Sequence, residues 1–377
     1  MHIVLLICIG LLVYVYAGYP LLCALLAVVL RRRVRAASHV PRVSILISAY
    51  NENTHIAATL RNKLELDYPP DRCEIIVVSD ASDDGTDETV TKIAAADGRV
   101  RLLRQQPRAG KTAALNRAAA QASGEILVFS DANSLYAPDA LRRLMEPFAD
   151  EAVGYATGRM LYQAPDGSLT GENCSTYMRY ENFLRGLETA IGSVVGVAGG
   201  IDAVRAGLYT VMRADQQPDF ILPLTVVERG KRVVFAPHAR LFEASLAQAG
   251  DEFRMRTRVA LRAWRALRDK IGLLDPLRYG LFSWQLFSHK WLRYLAPLFQ
   301  AGALISNAAL LGRAPAWNAL FALQALFYLV AALGLRGRPL PAPFSFPYYL
   351  CLLNLAAAAA LFRFPRGKKQ VIWTPRT

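Results

Sequence analysis

Two isolated acids mark where this chain could do chemistry: Asp131, in Phe-Ser-Asp-Ala-Asn, and Asp219, in Gln-Gln-Pro-Asp-Phe, about ninety residues later. Asp131 and Asn133, two positions apart at the end of an apolar run, project to the same side. A carboxylate and an amide oxygen so placed can grip a Mg2+ or Mn2+ that leaves much of its coordination to substrate phosphates. A second carboxylate, set apart from the first, can take a proton from an attacking hydroxyl. Both acids lie between apolar segments long enough to cross a bilayer. The expectation is transfer of a sugar from a nucleotide diphosphate to a hydroxyl acceptor at a membrane.

Three polar turns extend the set. Ser48-Ala49-Tyr50-Asn-Glu52 follows one apolar run and Ser79-Asp80-Ala-Ser-Asp-Asp-Gly-Thr86 another. At strand ends such groups can hold a nucleoside, with Asp80 accepting from a uracil N–H and Glu52 from ribose hydroxyls. Arg108-Ala-Gly-Lys111-Thr-Ala-Ala-Leu-Asn116 puts a glycine and a lysine at a helix start, a geometry that suits phosphates. It lacks the first glycine of a P-loop. Each turn also reads as an ordinary helix start, with Asp83, Thr86 or Asp219 as a cap.

The elements that must position these residues are legible between about 40 and 250. Strand-like runs at Val43–Ser48, Glu74–Ser79, Val100–Leu103 and Glu125–Ser130 alternate with helix-like patches at Asn53–Leu66, Thr86–Ala96 and Thr112–Ala122. A βαβαβαβ succession implies an α/β fold with a doubly wound, mostly parallel sheet and its ligand at the carboxyl ends of the strands. Asp80 and Asp131 fall at two such ends.

Around this domain the chain is apolar: 53% of its 377 residues are hydrophobic and the mean hydropathy is +0.21. Residues 1–30 read as an uncleaved transmembrane helix followed at once by Arg31, Arg32, Arg33 and Arg35, which mark a cytoplasmic edge. Residues 251–290 read as amphipathic interfacial helices, Arg254, Arg256, Arg258, Arg262, Arg265 and Arg268 being interleaved with apolar residues. About three membrane helices are expected in 291–362, near Leu292–Leu311, Trp317–Leu335 and Phe344–Phe362, then a basic tail, 363–377. Three such crossings would carry the tail away from the catalytic domain, although its basic residues prefer the cytoplasmic side, and Arg336 and Arg338 fit a cytoplasmic loop. The net charge of +14 flanks apolar segments without any nucleic-acid-binding signature, so the expected partner is membrane lipid and not nucleic acid. Five scattered cysteines predict neither a disulfide framework nor zinc. His55, His238 and His289 have no partner spacing and read as surface or structural residues.

Taken together, these motifs resemble a membrane-bound family-2 glycosyltransferase of the cellulose synthase, chitin synthase and hyaluronan synthase group. The resemblance rests on Ala49-Tyr-Asn-Glu, Asp80 with Asp83-Asp-Gly-Thr, Gly110-Lys111 with Ala114-Leu-Asn, Asp131-Ala-Asn, Gly199-Gly200-Ile-Asp202-Ala-Val-Arg205 and Asp219. It implies a glycosyltransferase A-type nucleotide-sugar domain, with donor contacts at Ala49, Tyr50, Glu52, Asp80, Lys111 and Asp131. It also implies metal at Asp131 and Asn133, an acceptor region at Gly199, Gly200, Asp202 and Arg205, and Asp219 as catalytic base. Three departures stand out: Pro218 replaces the acid before the base, Asn133 the second acid of the metal motif, and Met255-Arg-Thr-Arg258-Val259 the polymerases' Gln-x-x-Arg-Trp. Arg258 remains to neutralise the departing diphosphate.

The expected enzyme is inverting and metal-dependent, uses a UDP-sugar, and extends a polysaccharide from the cytoplasmic face of a bacterial inner membrane. The alternatives are a single transfer to a lipid acceptor and, from another class, a transporter or channel with a nucleotide-sensing domain.

Overall fold

The computed structural model describes residues 1–163, 172–244, 249–335 and 345–365. Arg336, Arg338 and the tail beyond 365 lie outside them. The chain folds as two compact units, residues 30–170 with 178–245, and residues 1–29 with 171–177 and 246–368.

The first unit is built on one eight-stranded sheet in the order β3-β2-β1-β4-β7-β6-β8-β5. Its strands are β1 (Val43–Ala49), β2 (Cys73–Asp80), β3 (Val100–Gln105), β4 (Ile126–Asp131), β5 (Leu135–Tyr136), β6 (Val153–Gln163), β7 (Asp202–Arg205) and β8 (Arg232–Ala244). β1, β2 and β4 read as near-continuous apolar runs because nearly every residue is buried, as in a parallel strand covered on both faces. Ile45, Ile47, Ile75, Val77 and Val128 form the core with Ile56, Leu60 and Val90 from the covering helices. Each fully buried side chain of this size stabilises the fold by roughly 1.5–3 kcal/mol.

Register aligns the strand ends. Ala49 lies opposite Ser79, Ser48 opposite Asp131, and Asp80 opposite Gln105, all in parallel pairs. The turns that follow β1, β2, β3 and β4 therefore emerge along one edge, with β1 between β2 and β4 at the point where strand order reverses. The second half of the sheet is mixed. β7 runs antiparallel to both β4 and β6, while β6 pairs with β8 in parallel. Phe129 of β4 faces Asp202, so β7 starts beside the end of β4.

The second unit holds three helices long and apolar enough to cross a membrane among the described residues: His2–Leu30, Pro315–Gly334 and Phe346–Arg363. The stretch near Leu292–Leu311 belongs to a helix that runs unbroken through a π segment from Leu281 to Ala308, with Pro297 inside it, and this helix is not among those apolar enough to cross a membrane. Leu5, Cys8, Ala303 and Leu310 form one buried cluster. Polar pairs join these apolar helices: Trp284 Nε1 donates to Tyr14 Oη at 2.8 Å, and Asn354 Nδ2 to Tyr16 Oη at 3.1 Å. Val28 is 80% and Leu323 65% exposed, an apolar surface of the kind that lipid covers. The basic helix Ala249–Asp269 buries Leu261, Trp264 and Leu267.

Candidate active site

Asp80 ends β2 with 2% of its surface exposed. Its Oδ1 accepts from Gln105 Nε2 at 2.6 Å and from Ala109 N at 2.8 Å, and its Oδ2 from Gly110 N at 2.8 Å. Three of a carboxylate's roughly four acceptor sites are thus used to shape the turn that leads into the helix Lys111–Gln121. That turn carries Arg108 to 3.3 Å from the centre of the Tyr50 ring, forming a flat cation–π pair at the end of β1. Asn51, with φ 54°, ties the first two turns together: its Nδ2 donates to Asp83 and its Oδ1 accepts from the Asp83 N–H. The left-handed conformation is one that Asn tolerates better than most residues. Glu52 is buried beside them and its N–H donates to Thr86 Oγ1 at 2.9 Å.

Lys111 opens its helix behind Gly110 and donates to Asp131 Oδ1 at 2.5 Å. Burial works against its charge, but Asp131, Asp219 and Asp202 outweigh that and hold the ammonium above its usual range.

Gly199 and Gly200 lie between the two acids read from the sequence. A Cβ on Gly199 would lie 3.1 Å from Asp219 Oδ2, and one on Gly200 would lie 3.5 Å from Asp131 Oδ2. Both glycines have φ near 75°, a region other residues rarely adopt. A side chain at either glycine would crowd a carboxylate, and at Gly200 it would also meet Leu241 Cδ2 at 3.0 Å. The buried Ser134 hydroxyl, without a partner among the described residues, lies 3.4 Å from the Gly200 Cβ position. A carboxylate and a hydroxyl near the same glycine, with Asn133 two residues after Asp131 in the chain, suit a hard divalent cation that shares its coordination with phosphates. Among the described residues no group of three His, Cys, Asp or Glu could hold a metal ion.

Asp219 stands at the second position of the helix Pro218–Glu228, with Gln217 as the N-cap and no side-chain capping bond. It is thus not the cap itself. The helix start favours its negative charge, and Gln217 Nε2 lies 3.3 Å from Oδ2.

Asp202 begins β7, 1% exposed. Burial, and then the charge of Asp219, push its carboxyl up to about 7, against the pull of Thr157, Arg185 and Lys111. Its Oδ1 has no hydrogen-bond partner among the described residues.

The structure does not gather every residue read from the sequence. Arg205 sits at the far end of β7, where its guanidinium donates to the carbonyls of Phe148, Asp150 and Val153. Arg258 lies on the helix Ala249–Asp269. Sequence reasoning placed Asn116 in the Lys111 motif but gave it no partner. Its Nδ2 donates to Met212 O, and its Oδ1 accepts from Met212 N and Tyr209 Oη. Thr112 Oγ1 adds a bond to Gln216 O at 2.8 Å. The helix of Lys111 thus holds the loop that delivers Asp219. Lys63 was missed: buried, it donates to Ser134 O at 2.7 Å beneath the Asp131 turn. An Asn or Lys within a helical pattern carries no signal of a partner far away in the chain.

Residues 44–206 match the model described as Glycosyl transferase family 2. The chain carries a glycosyl transferase family 2 domain. Among named relatives, it is 29% identical over 167 residues to a beta-monoglucosyldiacylglycerol synthase of Trichormus variabilis, covering 44% of this chain and 36% of that one. It is 26% identical over 248 residues to a poly-beta-1,6-N-acetyl-D-glucosamine synthase of Staphylococcus aureus, covering 64% and 59%. The chain thus spans less than two thirds of either relative. A mannosyltransferase from Pyrobaculum calidifontis, solved with GDP-Man and Mn2+, superposes with a TM-score of 0.76 at 24% identity, over 97% of this chain and 100% of that one. This likeness shows the fold. The matched residues 44–206 include Asp80, Lys111, Asp131, Gly199, Gly200 and Asp202, while Asp219 lies beyond them.

Proposed function

We propose that this glycosyl transferase family 2 domain moves a sugar, with inversion, from a nucleoside-diphosphate sugar to a hydroxyl acceptor. The observation that carries this reading is the convergence of Asp131, Lys111 and Asp219 on the Gly199-Gly200 backbone. The base lies against Tyr50 and Arg108 beside Ala49, with Glu52 towards the ribose. Lys111 and the start of its helix take the diphosphate charge. Asp131, with Asn133, holds a divalent cation, which when bound supplies charge stabilisation to the departing diphosphate. Asp219 accepts the proton of the attacking hydroxyl. The space above Gly199 and Gly200 admits that hydroxyl, with Asp202 beside it. Arg258 is assigned to the diphosphate on the sequence pattern alone.

UDP-sugars are the favoured donors, and GDP-sugars belong in the same test because the mannosyltransferase of like fold was solved with GDP-Man. The favoured product is a polysaccharide, made from the cytoplasmic face of a bacterial inner membrane. One observation favours a lipid acceptor instead. Val259 stands where the polymerases' tryptophan is expected, and the one tryptophan of that helix, Trp264, is packed edge-on against Trp291 in the core. Relatives named for a glucosyldiacylglycerol and for a polymer allow both products.

The test is nucleotide release by the full chain purified in detergent, against a panel of UDP- and GDP-sugars with lipid and saccharide acceptors. Release with one donor is expected. Asp219→Asn should lower turnover by about 10²–10⁴-fold, the usual contribution of a general base, while donor binding stays normal. Near-normal turnover in a folded Asp219→Asn protein would remove this residue from the mechanism.

A further inference from the structure

Away from the active site, the transferase unit contains a cavity of about 320 Å³ whose rim carries Arg31, Arg32 and Arg33. These arginines directly follow Leu30, the last residue of the membrane-length helix His2–Leu30. The unit grips the backbone of this segment firmly. Arg32 N donates to Ala190 O at 2.7 Å, and the Arg232 guanidinium donates to the carbonyls of Arg32 at 3.2 Å and Thr189 at 2.8 Å. All three rim guanidinium groups are exposed, and their side chains have no hydrogen bond or ion pair among the described residues. The one acid that lines the cavity, Glu146, is paired with Arg143 at 2.9 Å. The rim therefore keeps an uncompensated positive charge, while Val34, Pro147, Val234, Phe235 and Pro237 make the walls apolar.

We infer that this cavity binds the phosphate-bearing headgroup of an anionic membrane lipid. A cationic rim alone would take any phosphate. Apolar walls beneath it suit an amphiphile, whose phosphodiester meets the arginines while its glycerol carbons cover Phe235 and Val234. Position in the chain points the same way, since a segment leaving a membrane helix at Leu30 keeps Arg31 to Arg33 within reach of headgroups. Such a lipid pins the catalytic unit to an anionic membrane surface. The inference rests on His2–Leu30 crossing the membrane, and it does not depend on which sugar is transferred.

The experiment is native mass spectrometry of the full chain, with phosphatidylglycerol or phosphatidylcholine added in detergent and no nucleotide present. One phosphatidylglycerol should be retained in preference to phosphatidylcholine, and millimolar inorganic phosphate should not displace it. Replacing Arg31, Arg32 and Arg33 together by Gln should weaken retention about 100-fold. Gly186 lines the cavity, and a Cβ there meets nothing within 4 Å, so Gly186→Phe fills the space and leaves every arginine in place. It too should abolish retention. Retention undiminished in Gly186→Phe means loose surface attraction and overturns the assigned cavity. Equal retention of the two lipids, or displacement by inorganic phosphate, overturns the lipid assignment. Nucleotide release by the same variants in neutral detergent reads the transferase separately, and its loss in the parent chain has no bearing on lipid retention.

Discussion

Asp131 and Lys111 share a hydrogen bond, so the two residues answer differently to substitution. Asp131→Ala removes the carboxylate offered to the cation and leaves the half-buried Lys111 ammonium without its nearest partner. Turnover should fall by at least about 10²-fold, as when a preorganised electrostatic contact is removed, with weaker donor binding in calorimetry. EDTA should abolish release in the parent protein and Mn2+ should restore it; activity that survives EDTA removes the cation from the proposal. Asp202 calls for a pH experiment. Its folded carboxyl lies at about 7, above the ordinary 3.8, so the folded state holds the proton more tightly between those values. The stability linked to that proton is fully present below about 3.8 and is lost as pH rises through about 7. The slope is on the order of 1 kcal/mol per pH unit. Thermal unfolding of the detergent-solubilised chain should show this decline between about pH 4 and pH 7 and level off above it, and Asp202→Asn, which cannot ionise, should flatten it.

At the scale of elements, the glycine turn and the loop before Asp219 set the geometry. Gly199→Ala meets a left-handed backbone, a cost on the order of 1–2 kcal/mol, and a contact 3.1 Å from Asp219 Oδ2. The acceptor side should suffer: kcat is expected to drop about tenfold while donor affinity holds, a split that steady-state kinetics with varied donor resolves. Asn116→Ala removes three hydrogen bonds to the segment 209–212 and leaves its backbone groups without partners. A destabilisation of about 1–3 kcal/mol is expected in thermal unfolding, with lower kcat because Asp219 follows that loop. An unchanged melting temperature and kcat would mean that the loop holds itself in place.

Across the whole molecule, the amino-terminal helix and two carboxyl-terminal helices are each long enough to cross a membrane. Two crossings after the transferase return the chain to the transferase's side, which suits Arg363 and the basic residues after it better than three crossings would. A cysteine at Val211, 84% exposed, should react with an impermeant maleimide only after cell lysis, and one at Thr377 should behave alike. Cys8, Cys23, Cys73 and Cys351 are buried, so background labelling is low once Cys174 is replaced. Labelling of Val211→Cys in intact cells would place the transferase outside. Much of the first half of the sheet was legible in residue order, because β1, β2 and β4 are buried on both faces and local helices separate them. The placement of Asp131 at the end of β4 and of Asp219 at a Pro-led helix start was legible too, as isolated acids beside an apolar run and a proline. The pairings of β5 to β8 were not, since β7 inserts beside β4 from about seventy residues away and no local pattern records its partner. For the same reason only tertiary structure decided that Gly199 and Gly200 separate the two acids, that Asp202 is buried near Asp219 with its carboxyl pushed up, and that Arg205 turns to the far end of its strand. Residue type and period report the environment of one segment. Charge coupling and loop placement depend on which distant segments the folded chain brings together.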